Sequence, residues 1–377
     1  MRKKIGLISF HEDPNYGTMY QAYALSRAIK SLGADAEYIK YEAIYHRSLI
    51  KRITIRVVKR LFQLLSIRRE PLTEYSFLRS KDFCRLVQKY KCFHKRYIPV
   101  SKKVYFIDTI ANVESEYDSF IVGSDQTWSS YCNTNPHTPN FLSFIKCVDK
   151  KNAYAPSIGS IHITREYKKR LLDELSTFNN ISCREYANSK MLSEELGKKV
   201  EHVLDPTLLL TSSDWQEIES SVSMPKNYVL CYILGTKKCI SDYAEKLGST
   251  KGLPVYYMVT RPEYTDKKNV LIDIRPDQFL WLLHNASYVV TDSFHGSVFS
   301  INFNRNFYSF AKRETSESTG VDNDRIMDFL SLLGLEDRFV NDGSNIFLND
   351  IDYETINNKL EFYRKKSLEY LKRIVTE

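Results

Sequence analysis

Residues 4–41, KIGLISFHEDPNYGTMYQAYALSRAIKSLGADAEYIKY, decide the fold class. The apolar run from Lys4 to Phe10 predicts a buried strand. A polar loop with Asn15, Tyr16 and Gly17 follows, then a helix from about Thr18 to Leu32 that Gly33 closes. Asp35 to Tyr41 reads as a second strand, which completes a βαβ unit with parallel strands. The glycine fingerprint GxGxxG is absent, so dinucleotide binding is not supported.

The same alternation continues along the chain. Strands are predicted at Ser119 to Val122, Asn152 to Ser160, Ile181 to Arg184 and Val200 to Leu204, with a helix from Thr164 to Phe178 and a break at Asp205 and Pro206. A second series has strands at Tyr228 to Leu234, Pro254 to Val259, Tyr288 to Val290 and Phe307 to Phe310. Helices at Ile240 to Leu247, Pro276 to His284, Phe294 onward, Asp322 to Leu333 and Tyr353 to Arg373 accompany it. Two such series imply two parallel-sheet domains facing each other across a cleft. The expected division is 1–205, 206–350 and a C-terminal helical segment, 351–377, long enough to pack back on the first domain.

Bulk properties narrow the class. With 377 residues and 43% apolar side chains, the chain suits two folded domains of ordinary size. Seven cysteines without a CxxC pair or zinc-type spacing argue against a disulfide framework and against a structural metal. The N-terminal apolar run is too short for a signal peptide, and no apolar stretch is long enough to cross a bilayer, so a cytoplasmic protein is expected. The net charge of +8 is uneven: from Arg47 to Lys103 there are 17 Lys and Arg against 3 acids, or +14, leaving −6 elsewhere. Within a basic helical insertion at about 45–103, Leu49 to Ile67 alternates apolar and basic residues like an amphipathic surface helix. Its partner is open between an anionic membrane surface, a pyrophosphate-bearing substrate and plain solvent; nucleic acid is not expected, because no binding motif accompanies the charge.

The strand ends carry the candidate chemistry. His295 follows the strand Tyr288 to Val290 and opens a helix beside Ser293, a place suited to an anionic substrate or, equally, to a capping histidine. Arg184 ends another strand and can fork onto a phosphate or carboxylate, or pair with Glu185. Lys312 and Arg313 end the strand FYSFAK and could meet the same anion. Ser124, Asp125 and Gln126 end the strand Ser119 to Val122; the last two suit sugar hydroxyls, and Trp128 suits either a sugar face or the core.

Taken together, NYGTMYQAYALSRAI (15–29), YDSFIVGSDQTW (117–128), ISCRE (181–185), VLDPTLLL (203–210), TDSFHGSVFS (291–300) and DRIMDFLSLLGLEDR (324–338) resemble the polysaccharide pyruvyltransferase family. The resemblance implies a GT-B-like α/β fold of two Rossmann-like domains, with the acceptor on the N-terminal and the donor on the C-terminal side. It implies phosphoenolpyruvate as donor, with no cofactor and no metal, and ketal formation on a sugar of a surface-polysaccharide precursor carried on polyprenyl pyrophosphate. Such an acceptor would place the enzyme at the inner face of the plasma membrane. By resemblance His295 is catalytic, and Arg184 and Lys312 serve the donor; Ser293 and Arg313 are further donor-side candidates, and Asn15, Gly17, Gln21, Ser124, Asp125, Gln126 and Trp128 are the acceptor-side candidates. The family pattern has Arg-Leu-His where this chain has Ser293-Phe294-His295, so one cation is missing, and Arg313 or Arg325 could supply it. A GT-B glycosyltransferase using a nucleotide sugar is the alternative.

Overall fold

The computed structural model describes residues 2–45, 80–135, 137–160, 162–235, 237–258, 267–311, 321–340 and 349–376. In the first half, β1 (Lys4–Ile8), α1 (Tyr16–Ser31), β2 (Asp35–Glu42), α2 (Ser80–Tyr97), β3 (Val100–Phe106), β4 (Ser119–Val122) and β5 (Lys151–Ala153) build a parallel sheet in the order β3-β2-β1-β4-β5. Then come α3 (Arg165–Leu175), β6 (Ile181–Cys183), α4 (Tyr186–Leu196) and β7 (Val200–His202), with β6 and β7 paired in parallel and linked to the sheet by the bridge Asn152 to Asn180.

The second half holds β8 (Val229–Tyr232), α5 (Lys238–Lys251), β9 (Val255–Met258), β10 (Val270–Leu271), α6 (Pro276–Asn285), β11 (Tyr288–Thr291), α7 (Phe294–Asn302), β12 (Asn306–Phe310), α8 (Val321–Leu333), β13 (Phe339–Val340) and α9 (Tyr353–Thr376). Its sheet is parallel throughout, in the order β10-β9-β8-β11-β12-β13. Two doubly wound parallel sheets of this kind make the GT-B-like α/β arrangement. β1 and β4, and β8 and β11, are fully or almost fully buried, as parallel strands covered on both faces must be.

Three predicted boundaries are corrected. The helical insertion stops short of 103, because Val100–Phe106 is the edge strand of the first sheet. Its Lys102 and Lys103 are the charges that protect an exposed edge, and they read as a helix face in the sequence. The strand predicted over Asn152 to Ser160 pairs continuously with β4 only over 151–153, with a single further bridge from Pro156 to Asp125. Ala155 turns to φ 51° and Pro156 brings no N–H, so the ladder ends there. The helix α1 begins two residues earlier than predicted, because the Asn15 side chain caps it by accepting from Thr18 N at 3.2 Å. The Leu49 to Ile67 helix lies outside the described residues.

α1 is the wedge between the domains. Tyr16 Oη donates to Ile274 O at 2.8 Å and Tyr20 Oη to Pro276 O at 2.6 Å, both across the interface. The Tyr16 ring lies 4.3 Å from Phe279, and Tyr20 packs edge-on to Phe299 at 5.1 Å and to Trp215 at 5.6 Å. One continuous apolar cluster therefore joins residues of both sheets. α9 runs back to the first half: Ser367 Oγ accepts from Leu204 N at 2.9 Å, Tyr370 Oη donates to Ala153 O at 2.8 Å, and Arg373 pairs with Glu201. Among the described residues no helix is long and apolar enough to cross a membrane.

Leu371 on α9 is fully buried in the shared cluster. Leu371→Ala leaves a cavity there and should lower unfolding stability by about 2–5 kcal/mol. Urea titration measures it, and a midpoint equal to the parent's would show that α9 packs loosely.

Candidate active site

The loop after β11 is built by its own polar side chains. Thr291 Oγ1 donates to Tyr232 O at 2.6 Å and accepts from Ser293 N at 3.0 Å. Ser293 Oγ accepts from Gly296 N at 3.3 Å, the N-cap of α7. Asp292 accepts from Leu234 N and Gly235 N, each at 2.6 Å, which ties the loop after β8 to the same point. His295 thus stands in the first turn of α7, with 15% of its side chain exposed. The first-turn N–H groups of α7 lack intrahelical partners and carry the positive end of the helix dipole.

The imidazole rests on α1. A Cβ placed on Gly17 would lie 2.1 Å from His295 Nδ1, so no other residue leaves room for the ring. Gly17, expected on the acceptor, instead provides the seat of the histidine. On the other side His295 Nε2 is 3.8 Å from Asp205 Oδ2, beyond hydrogen-bonding distance and within ion-pair reach; it has no hydrogen-bond partner.

Asp205 is the residue that sequence reading took for a chain break. Its Oδ1 accepts from Thr207 N at 3.0 Å and Thr207 Oγ1 at 2.7 Å, and its Oδ2 accepts from Arg184 Nη1 at 2.7 Å. Burial works against the Asp205 carboxylate, but His295, Arg184 and Thr207 outweigh it and hold its pKa well below the usual carboxylate range. Arg184 is 5% exposed, ion-paired to Asp205 and Glu185, and lies over the Phe294 ring at 4.5 Å. Burial alone would disfavour its charge; the carboxylates of Asp205, Glu185 and Asp125 reverse this and push its pKa up. The anion that Arg184 and His295 share is therefore a protein carboxylate. That revises the expectation that Arg184 reaches into an open cleft.

A cavity of about 280 Å³ opens in front of the histidine, lined among others by Asn15, Asp125, Gln126, Ser293, His295 and Arg325. Arg325, on α8, sits where a cation could replace the absent arginine of the Arg-Leu-His pattern. With its amide turned to satisfy both partners, Gln126 Oε1 accepts from Arg325 Nη1 and Nη2 at 3.2 Å each. Asp125 adopts φ 66°, accepts from Gln126 N at 2.9 Å and takes Thr18 Oγ1 at 3.3 Å. Asp13, not singled out from sequence, also lines the cavity; burial and then the Asp125 charge push its carboxyl up.

Three acceptor expectations are corrected. Trp128 is fully buried and donates from Nε1 to Asn140 O at 3.2 Å, so it is core. Ser124 is fully buried and donates to Ala155 O at 2.7 Å. Gln21 is fully buried, its Nε2 donating to Phe10 O at 2.7 Å and Thr18 O at 3.1 Å. Lys312 and Arg313 lie outside the described residues. Among those residues, no group of three His, Cys, Asp or Glu could hold a metal ion.

The sequence profile of the polysaccharide pyruvyl transferase family matches residues 15–312. The chain belongs to that family. A search of curated proteins returns no match to this transferase. Among solved structures it is similar to UDP-GlcNAc 2-epimerase from Neisseria meningitidis bound to UDP-GlcNAc, at 11% identity and a TM-score of 0.45 over 98% of this chain and all of that one. It is also similar to UDP-GlcNAc 2-epimerase from Methanocaldococcus jannaschii (13%, 0.41, 96% and 92%) and to the glycosyltransferase SnogD from Streptomyces nogalater (10%, 0.42, 100% and 98%). None of these likenesses bears on the substrate of the transferase.

Behind Asp13, His11 Nδ1 lies 3.0 Å from His94 Nε2 on α2, and its ring packs 4.9 Å from Tyr38. Burial, then His94 and Lys40, push the His11 pKa down to about 3. Unfolded, the same group titrates near 6.5. Below about pH 6.5 the unfolded chain therefore binds a proton that the folded one refuses, and this costs roughly 1 kcal/mol of stability per pH unit as pH falls towards 3. Urea midpoints between pH 7 and pH 5 should fall in the parent and fall less in His11→Gln; parallel slopes would contradict a neutral His11. Gly17→Ala should displace the imidazole, and NMR signals of His295 would move while the helical circular dichroism is kept. Unmoved signals would show that α1 yields instead of the ring.

Proposed function

We propose that this transferase moves the enolpyruvyl unit of phosphoenolpyruvate onto two hydroxyls of one sugar in a surface-polysaccharide precursor, giving a pyruvate ketal. The observation that carries the reading is His295 at the cavity wall, seated on Gly17 and backed by the buried pair of Asp205 and Arg184. A histidine is the side chain suited to carry a proton both ways near neutrality. Asp205 holds the imidazolium, and Arg184 balances Asp205, so the proton is stored without an uncompensated buried charge. At about 280 Å³ the cavity falls just below the small end of the usual range of about 300–1,000 Å³, which suits a three-carbon phosphoester better than a nucleotide sugar. The N-terminus of α7 and Arg325 would face the phosphate and carboxylate.

In this scheme a proton from His295 goes to the methylene carbon, which becomes the methyl group and leaves an oxocarbenium-like centre at C2. One acceptor hydroxyl adds to C2. Departure of phosphate and closure by the second hydroxyl complete the ketal. One hydroxyl proton restores His295 and the other leaves with inorganic phosphate. The acceptor sugar is carried on polyprenyl pyrophosphate.

Phosphoenolpyruvate should raise the melting temperature of the protein, and nucleotide sugars should not. Incubation with phosphoenolpyruvate and lipid-linked sugars should yield pyruvylated product by mass spectrometry. His295→Ala should fold normally and lose on the order of 10²–10⁴ in rate. Protection by a nucleotide sugar, or a His295→Ala variant with most of its turnover, would overturn the reading.

A further inference from the structure

Helix α4 starts without a cap of its own. Its N-cap residue, Glu185, makes no capping bond; its carboxylate accepts instead from Arg184 Nε at 3.4 Å and from Asn188 Nδ2 at 3.3 Å. The open N–H groups are taken by the other half of the chain. Asp328, on α8, accepts from Tyr186 N at 2.7 Å through Oδ2 and from Ala187 N at 3.2 Å through Oδ1. One carboxylate thus satisfies two backbone donors and lies at the positive end of the α4 dipole. Tyr186 follows Arg184 by two residues, so the segment gripped by the second domain is the one that carries Arg184.

Asp328 and Arg325 are three residues apart on α8 and project from neighbouring points of one face. Arg325 lines the His295 cavity and meets Gln126 of the first domain. The apolar side of α8, with Ile326, Phe329 and Leu330, is buried in the cluster that joins both sheets. Apolar burial holds the helix down, but it is non-directional and leaves rotation about the helix axis open. The two bonds to α4 have direction. Arg184, Asp205, Phe294, Arg325, Asp328 and Phe329 line one enclosed gap of about 10 Å³, room for a single water at most, so this turn of α8 packs directly against the buried pair behind His295.

We infer that Asp328 is a positioning residue: its cap on α4 sets the spacing of the two domains and the rotation of α8, and through them places Arg325 against the donor. Asp328 itself touches no substrate. The role of Arg325 rests on the proposed anionic donor, whereas the clamp rests on the geometry of α4 and α8. A planar guanidinium binds an anion through a rigid fork, so small displacements of its helix are felt in affinity.

The test uses the full-length protein. Asp328→Ala should raise the phosphoenolpyruvate concentration for half-maximal thermal protection roughly tenfold, about the worth of a lost helix cap, while Asp328→Asn, which keeps an acceptor oxygen, should recover most of it. In an Arg325→Ala background Asp328→Ala should add less than about twofold, because both substitutions then remove one contact. Amide hydrogen exchange at Tyr186 and Ala187 should quicken in Asp328→Ala, and the Arg325 Nε–H NMR signal should move. Effects of Asp328→Ala and Arg325→Ala that multiply in full would overturn the inference, as would unchanged donor affinity in Asp328→Ala or an equal loss in the Asn variant. If the parent is indifferent to phosphoenolpyruvate, the donor reading fails and the Arg325 signal still decides the clamp: displaced in Asp328→Ala it upholds the positioning role, and unmoved it refutes it.

Discussion

The rest of the site depends on the contact between a backbone and a ring. α1 approaches α7 so closely that the His295 imidazole lies directly on the Cα of Gly17. The approach is held by tyrosines, not by the glycine: Tyr16 and Tyr20 bury their rings against Phe279, Phe299 and Trp215 and spend their hydroxyls on backbone carbonyls of the other domain. Buried phenols need partners, and these find theirs across the interface, which gives the wedge a defined register rather than a greasy slide. Once that register is set, His295 has one place to be.

The second constraint is charge. Arg184, Asp205, Glu185 and the imidazole form a chain of groups that are almost all buried. Each would be costly alone, and together they satisfy one another. The spacing along the chain differs in kind: Arg184 is hydrogen-bonded to Asp205, while His295 stands off at 3.8 Å. The tight end is a buried hydrogen bond, and the loose end is the imidazole at the cavity wall. Two different segments of the first domain, the end of β6 and the link after β7, thereby prepare a side chain that the second domain supplies.

The cleft is divided rather than uniform. The side near α7 has a helix N-terminus, Arg325 and the histidine beside Asp13, Asp125 and Asp292; the side near β1 and β2 has Glu12, Asp13 and Glu42 with an apolar wall. Asp13 lines both sides, and burial, then the Asp125 charge, push its carboxyl up.

Much of this was legible before any coordinates. Short apolar runs bounded by Gly, Pro and Asp mark parallel strands; Ser293 marks a helix start; and a histidine in the first turn after a buried strand falls at the sheet's carboxyl edge. These are local matters, set by periodicity and by side chains that bond to neighbouring backbone. Local reading also misled: the lysines of β3 suggested a helix face, and Trp128 and Gln21 suggested a binding surface. The tertiary structure alone decided that Asp205 stands between Arg184 and His295, that Gly17 is empty for the sake of a ring, and which polar residues meet solvent. Burial and ion pairing depend on segments far apart in the chain, and no window of sequence contains both partners.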